Sequence, residues 1–245
     1  MANQVSLRDS YKNHLKVLTG FRLIFICDDS TSMLKTLNYT NNKRRRWDEL
    51  KETLTVLLDF LSQESLQKII KISESKVMFL NNEKDRSNFQ IQSKAQIKEQ
   101  IEKQFSIEPL GQTPLTSCFK NAINSKKSEE KLLVIILTDG RPTETSKSES
   151  AAIQNFKTAL ENKDANTHVT IVACTDNAAT MSYLNDWDNN IANLDVLDDY
   201  ESEKKLVLAA NDSKFEFTFS DYIGKILLGS IVPELDSLDG FYARE

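Results

Sequence analysis

FRLIFIC at residues 21–27 runs directly into DDSTSM at residues 28–33. A nearly continuous apolar run between Gly20 and a polar cluster is the pattern of a strand buried on both faces, as in parallel sheets. A second run of this kind, KLLVIIL at residues 131–137, is the strongest strand signal in the chain and leads straight into Thr138, Asp139 and Gly140. Between the two, Trp47, Leu50, Leu54, Leu57, Leu58 and Leu61 recur at helical spacing and predict an amphipathic helix from about Arg45 to Ser62. Leu66–Ile72 and Lys76–Leu80 read as two further strands, and Lys94–Phe105 as a helix. A loop over Leu110–Pro114 precedes a short helix that uses Leu115, Phe119 and Ile123.

The alternation continues downstream. A helix is expected over Glu149–Asn162, a strand over His168–Cys174, a helix near Ala178–Asn189, a strand near Leu194–Leu197 and a helix near Glu201–Ala210. Phe215–Phe219 alternates with polar residues like an edge strand. Asp221–Val232 reads as a last apolar helix, stopped by Pro233. Strands alternating with helices imply right-handed crossovers and an α/β, doubly wound, Rossmann-like sheet, mostly parallel, with helices on both faces and one edge strand. No internal repeat or linker-like shift in composition divides the chain, so a single domain over residues 20–233 is expected. Residues 1–19 form an N-terminal extension, read as a helix packed on the outside because Leu7, Tyr11, Leu15 and Leu18 are helically spaced. Residues 234–245 form a C-terminal tail.

Composition narrows the function classes. The chain has 245 residues, 40 % apolar and 27 % charged, with 31 Lys and Arg against 36 Asp and Glu for a net charge of −5. That length buries a substantial core without disulfides or a structural metal. Mild acidity argues against a nucleic-acid binder, which usually carries a basic excess. No apolar run is long enough for a transmembrane segment, and residues 1–20 lack the apolar core of a signal peptide. Cys27, Cys118 and Cys174 are far apart, as are His14 and His168, which disfavours a zinc cluster. Free thiols inside apolar runs fit a reducing, cytoplasmic compartment. A monomer is expected.

In open parallel sheets, ligands bind beyond the carboxyl ends of strands. Asp28–Met33 follows the first strand and Thr138–Pro142 the fourth, with Gly111, Gln112, Thr113, Pro114 and Leu115 between them. In a doubly wound sheet the two strands are neighbours, and the three segments converge on one crevice. The groups on offer are carboxylates and aliphatic hydroxyls, with no His, Cys or Lys. Hard oxygen ligands select hard cations, Mg²⁺ first and then Mn²⁺ or Ca²⁺. Two carboxylates balance a divalent charge. Neutral hydroxyls leave the ion electrophilic toward an anionic oxygen from outside.

Asp28, Ser30 and Ser32 in Asp-x-Ser-x-Ser, Thr113 in Gly-Gln-Thr-Pro-Leu and Asp139 in Leu-Thr-Asp-Gly-Arg-Pro together resemble the metal-ion-dependent adhesion site of the von Willebrand factor type A (vWA) domain. The succession of strands and helices is similar to that family from about Phe21 to Val232. The resemblance implies that Ser30, Ser32 and Thr113 contact the metal, and that Asp28 and Asp139 bind it directly or through water. One coordination position is left for an Asp or Glu of a partner protein. Thr31, Gln112 and Arg141 are then candidates for contacting that ligand. Thr31 and Gln112 stand where the family usually or often has Gly, so Thr31 is expected to meet a backbone angle that suits Gly. The implied function is a non-catalytic protein-binding module. The alternative is a regulatory or assembly subunit of an intracellular complex, ring-ATPase or ubiquitin-related, whose binding does not depend on the metal. The family can also change affinity by moving its last helix, here Asp221–Val232.

Other readings fit less well. A response-regulator receiver needs a phosphoacceptor Asp at a later strand end and a Lys after the fifth strand. Lys68–Leu80 lacks the former, and Thr175 and Asp176 replace the latter. A haloacid-dehalogenase-like phosphatase needs an acid where Ser30 stands. There is no Gly-x-Ser-x-Gly elbow and no Gly-rich phosphate loop. His168 reads as a half-exposed structural histidine. Lys43, Arg44, Arg45 and Arg46 read as a solvated loop entering a helix, or as a contact for phosphates or an acidic partner. Asp195, Asp198, Asp199, Glu201 and Glu203 read as a solvated helix start, with a second cation site as the other reading.

Overall fold

The computed structural model describes residues 11, 14–38, 43–81, 86–144, 147–211 and 215–236. Six strands form one sheet: β1 (Phe21–Cys27), β2 (Lys76–Phe79), β3 (Phe89–Gln90), β4 (Lys131–Thr138), β5 (Thr167–Ala173) and β6 (Leu194–Leu197). Their order is β3-β2-β1-β4-β5-β6, and all neighbours are parallel except β2 and β3. This is the α/β, Rossmann-like arrangement expected from the alternation.

Six longer helices cover the sheet: α1 (Arg46–Leu61), α2 (Lys94–Phe105), α3 (Leu115–Asn124), α4 (Glu149–Glu161), α5 (Tyr200–Ala210) and α6 (Phe219–Leu228). Successive strand residues point to opposite faces, so the two central strands build two cores. Leu23, Phe25 and Cys27 of β1, with Leu133, Ile135 and Leu137 of β4, pack with Trp47, Leu54, Ile101, Val207 and Ile226 from α1, α2, α5 and α6. Ile24 and Ile26, with Leu132, Val134 and Ile136, pack with Phe119 of α3 and Phe156 of α4. Every residue of β1 is buried, as a near-continuous apolar strand requires when helices lie on both sides.

Several expectations need correcting. Leu66–Ile72 is not a strand. It is a short helix (Glu64–Gln67) and a loop leading to a turn of 3₁₀ helix at Ile72–Glu74. Its backbone ties to the start of β1 instead, with Gly20 N–H donating to Ile69 O and Lys71 N–H to Phe21 O, each at 2.8 Å. Phe215–Phe219 is not an edge strand. Residues 215–218 are irregular, Phe217 is buried against the core, and Thr218 caps α6 by accepting from Asp221 N–H. The antiparallel edge is β3, whose two residues are too few to show a period. The helix expected over Ala178–Asn189 is broken into Ala178–Met181, a 3₁₀ turn at Ser182–Leu184 and Asn185–Asn190. The last helix begins at Phe219 and ends at Leu228. Pro233 opens the next short helix, Pro233–Asp236, as suits a residue without an N–H at the first helical position. Leu235, beyond the expected domain boundary, is buried in the core.

Most of the expected N-terminal helix lies outside the described residues, as does the tail beyond Asp236. Leu15–Leu18 form a turn of 3₁₀ helix. Tyr11 is buried with its ring on Gly224 of α6, where a Cβ would come within 2.5 Å of the ring. Among the described residues, no helix is long and apolar enough to cross a membrane.

Candidate metal centre

Register places the site. Phe21 to Cys27 pair in step with Lys131 to Leu137, and Asp28 N–H continues the ladder to Leu137 O at 2.9 Å. Asp28 and Thr138 therefore leave the sheet side by side, and Thr138 Oγ1 donates to Asp28 Oδ2 at 2.6 Å. The other oxygen, Oδ1, accepts from Ser30 N–H at 2.8 Å, which turns the chain so that alternate side chains face one way. Ser30 Oγ and Ser32 Oγ are 2.9 Å apart. Ser32 Oγ donates to Asp139 Oδ1 at 2.7 Å. Four of the five expected ligand residues thus form a continuous chain of contacts across the ends of β1 and β4.

The fifth, Thr113, lines the same cleft of about 450 Å³ with Ser32, Asp139 and Gly140. Thr143 holds it there. Its Oγ1 accepts from Thr113 N–H at 2.8 Å, and its own N–H donates to Thr113 O at 2.9 Å. The hydroxyls and paired carboxylates are the donor set a hard divalent cation takes. Five oxygen-bearing side chains on three segments fit such an ion.

The loops are bolted together by Asp29 and Asn81. Asp29 is fully buried and takes Arg86 at 2.7 Å on Oδ2, and Asn81 N–H at 2.9 Å and Nδ2 at 3.0 Å on Oδ1. Asn81 Nδ2 also donates to Gln112 O at 2.8 Å. Gly111, at φ 117°, lies so close to Asn81 that a Cβ would come within 2.6 Å of its side chain. Gly111 is therefore where the left-handed backbone falls. Thr31, expected to need such an angle, is not among the residues with positive φ. It sits in a 3₁₀ turn and its hydroxyl accepts from Gly111 N–H at 3.2 Å.

The other candidate contacts are dispersed. Thr31 is exposed at the rim. Gln112 lines an adjoining cleft with Pro114, Ser117 and Lys120. Arg141 lines the site cleft itself and is tied to Glu149 and to Ala179 O.

Burial pushes the Asp28 carboxyl up to about 7, and the charge of Asp139 adds to that rise, against hydrogen bonds from Thr138 and Ser30. Sequence reasoning missed the cation that meets Asp139. Arg46, the first residue of α1, donates to Asp139 Oδ2 at 2.7 Å, with side chains only 7 % and 0 % exposed. The basic run is thus not wholly a solvated loop. Arg44 pairs with Glu52, Arg45 with Asp48 and Glu108, and Arg46 enters the site.

The acidic stretch is corrected too. Asp195, Asp199 and Glu203 are buried rather than solvated. Asp199 caps α5 by accepting from Glu201 and Ser202 N–H, and Glu203 pairs with Lys225 at 2.6 Å. Among the described residues, no group of three or more His, Cys, Asp or Glu could hold a metal. The candidate centre, by contrast, rests on two acids and three hydroxyls.

The fold and this oxygen-rich centre define an α/β chain with a candidate ligand site beyond the ends of β1 and β4. No protein-family model and no curated protein matches the sequence.

Proposed function

We propose that the chain is a vWA-type, non-catalytic binding module that holds Mg²⁺ and takes an acidic residue of a partner protein through it. The observation that carries this reading is the unbroken contact chain from Asp28 through Ser30 and Ser32 to Asp139, with Thr113 in the same cleft. Ser30, Ser32 and Thr113 would supply neutral oxygens, and Asp28 and Asp139 the balancing charge. An ion so held remains electrophilic and accepts a carboxylate as a further ligand. Mn²⁺ and Ca²⁺ are the substitutes this donor set admits. Three buried free cysteines support a cytoplasmic setting.

The test is thermal unfolding in Mg²⁺, Mn²⁺, Ca²⁺ or EDTA, joined to capture of partners from a lysate. Binding to the native state raises the midpoint. Each cation that binds should raise it for the wild type and not for Asp139→Ala, and the captured partner should be lost in EDTA. A partner retained both in EDTA and by Asp28→Ala would instead favour a regulatory or assembly subunit that binds without metal.

A further inference from the structure

We infer that Arg46 sets the cation affinity of this site: it is a resident positive charge that makes the ion bind weakly alone and more tightly together with an anionic ligand. The inference rests on the cation-site reading and goes beyond it. Arg46 is fixed at both ends. Its backbone N–H donates to Lys35 O at 3.0 Å, and its guanidinium holds Asp139 Oδ2 at 2.7 Å. A guanidinium keeps its charge at any working pH. Its Nε is buried without a partner among the described residues, and an unmet buried donor carries a cost that packing alone does not explain. Asp139 divides its oxygens, with Oδ2 on Arg46 and Oδ1 on the Ser32 hydroxyl. The Arg46 contact therefore leaves in place the oxygen that faces the other ligand side chains.

The charge count follows directly. With both Asp28 and Asp139 ionised, as a divalent ion held by them requires, and Arg46 paired with Asp139, the site carries one net negative charge, not two. A divalent ion then meets less attraction and leaves a net positive centre. Lys35 and Arg141 line the same cleft, with Glu149 as the one further acid. A centre of this sign completes itself with a carboxylate. Because coupling between two ligands is reciprocal, that carboxylate in turn tightens the ion.

The experiment is calorimetric titration of Mn²⁺ into the wild type, Arg46→Lys and Arg46→Gln, in chloride and in acetate at equal ionic strength. Removing the charge should tighten Mn²⁺ in chloride by about tenfold or more. Arg46→Lys should stay near the wild type. Acetate should tighten Mn²⁺ for the wild type and do so less for Arg46→Gln. Equal or weaker Mn²⁺ binding by Arg46→Gln overturns the inference, as does a wild type indifferent to acetate. If Arg46→Gln folds only with Mn²⁺ present, the ion is replacing the missing charge, as expected. If it fails to fold even then, Arg46 is a structural prop and the inference falls. No Mn²⁺ binding by the wild type removes the cation-site reading itself, an outcome distinct from equal affinities.

Discussion

At the scale of single residues, the best-held side chain near the centre is Arg86. It is fully buried, pairs with Asp29, donates to Gln104 O and Ile107 O, and lies over the rings of Trp47 and Phe79 at 4.9 and 5.4 Å. Removing one partner of a buried pair strands the other charge and costs about 3–5 kcal/mol. Arg86→Ala should lose about that much stability in urea unfolding, and Asp29→Asn on that background should recover part of it. A loss below 1 kcal/mol would show that water reaches Asp29. Asp28, Ser30, Ser32 and Asp139 could be singled out because they stand just past the ends of β1 and β4, and Thr113 because its loop lies between those segments in the sequence. Arg46 and Arg86 could not. They meet their acids across 93 and 57 residues of sequence, and only the folded sheet brings those segments together. Thr31 misled for the converse reason. The positive φ in these two loops falls at Gly111 instead, whose N–H donates to the Thr31 hydroxyl, a contact visible only once the loops are folded together.

At the scale of elements, long segments with clear period were read to within a residue or two, as in α1, α2 and β4. The failures were short or ambiguous. Ile69 and Ile70 carry strand propensity, yet Ile69 O accepts from Gly20 N–H just before β1 and Ile70 N–H donates back to Leu66 O in a helical turn. Phe215 and Phe217 alternate because one side packs on the core, where aromatic contacts with Tyr200 stand in for a neighbouring strand. His168 joins two elements. From β5 its Nδ1 lies 2.7 Å from Ser230 O, in the turn after α6, and its ring meets Phe21 edge-on. Burial is the main cause that holds this imidazole below its usual 6.5, and the charges of Lys163 and Lys131 add to it, against the Ser230 bond. As pH falls below 6.5 the unfolded chain takes up the proton before the folded one, so stability drops until the folded pKa is passed. Urea midpoints measured between pH 7.5 and pH 5 should therefore fall more steeply for the wild type than for His168→Gln. Parallel profiles would mean that His168 titrates alike in both states.

At the scale of the whole molecule, the doubly wound class was legible from alternation alone, and so was the adjacency of the first and fourth long strand runs. The full strand order was not, since crossovers leave no mark on composition. That order puts β1 and β4 innermost, each with a hydrogen-bonded strand on both sides. The candidate centre hangs from the ends of these two. Amide hydrogen exchange at such positions proceeds only when the whole domain opens. Phe21–Cys27 and Lys131–Leu137 should be the slowest amides, and Phe89–Gln90 on the margin far faster. Fast exchange along β1 would contradict this. A centre anchored in the last part of the molecule to open has no private route to disorder. Any change that regulated it would fall on the helices and loops that roof it, while the floor stays as it is.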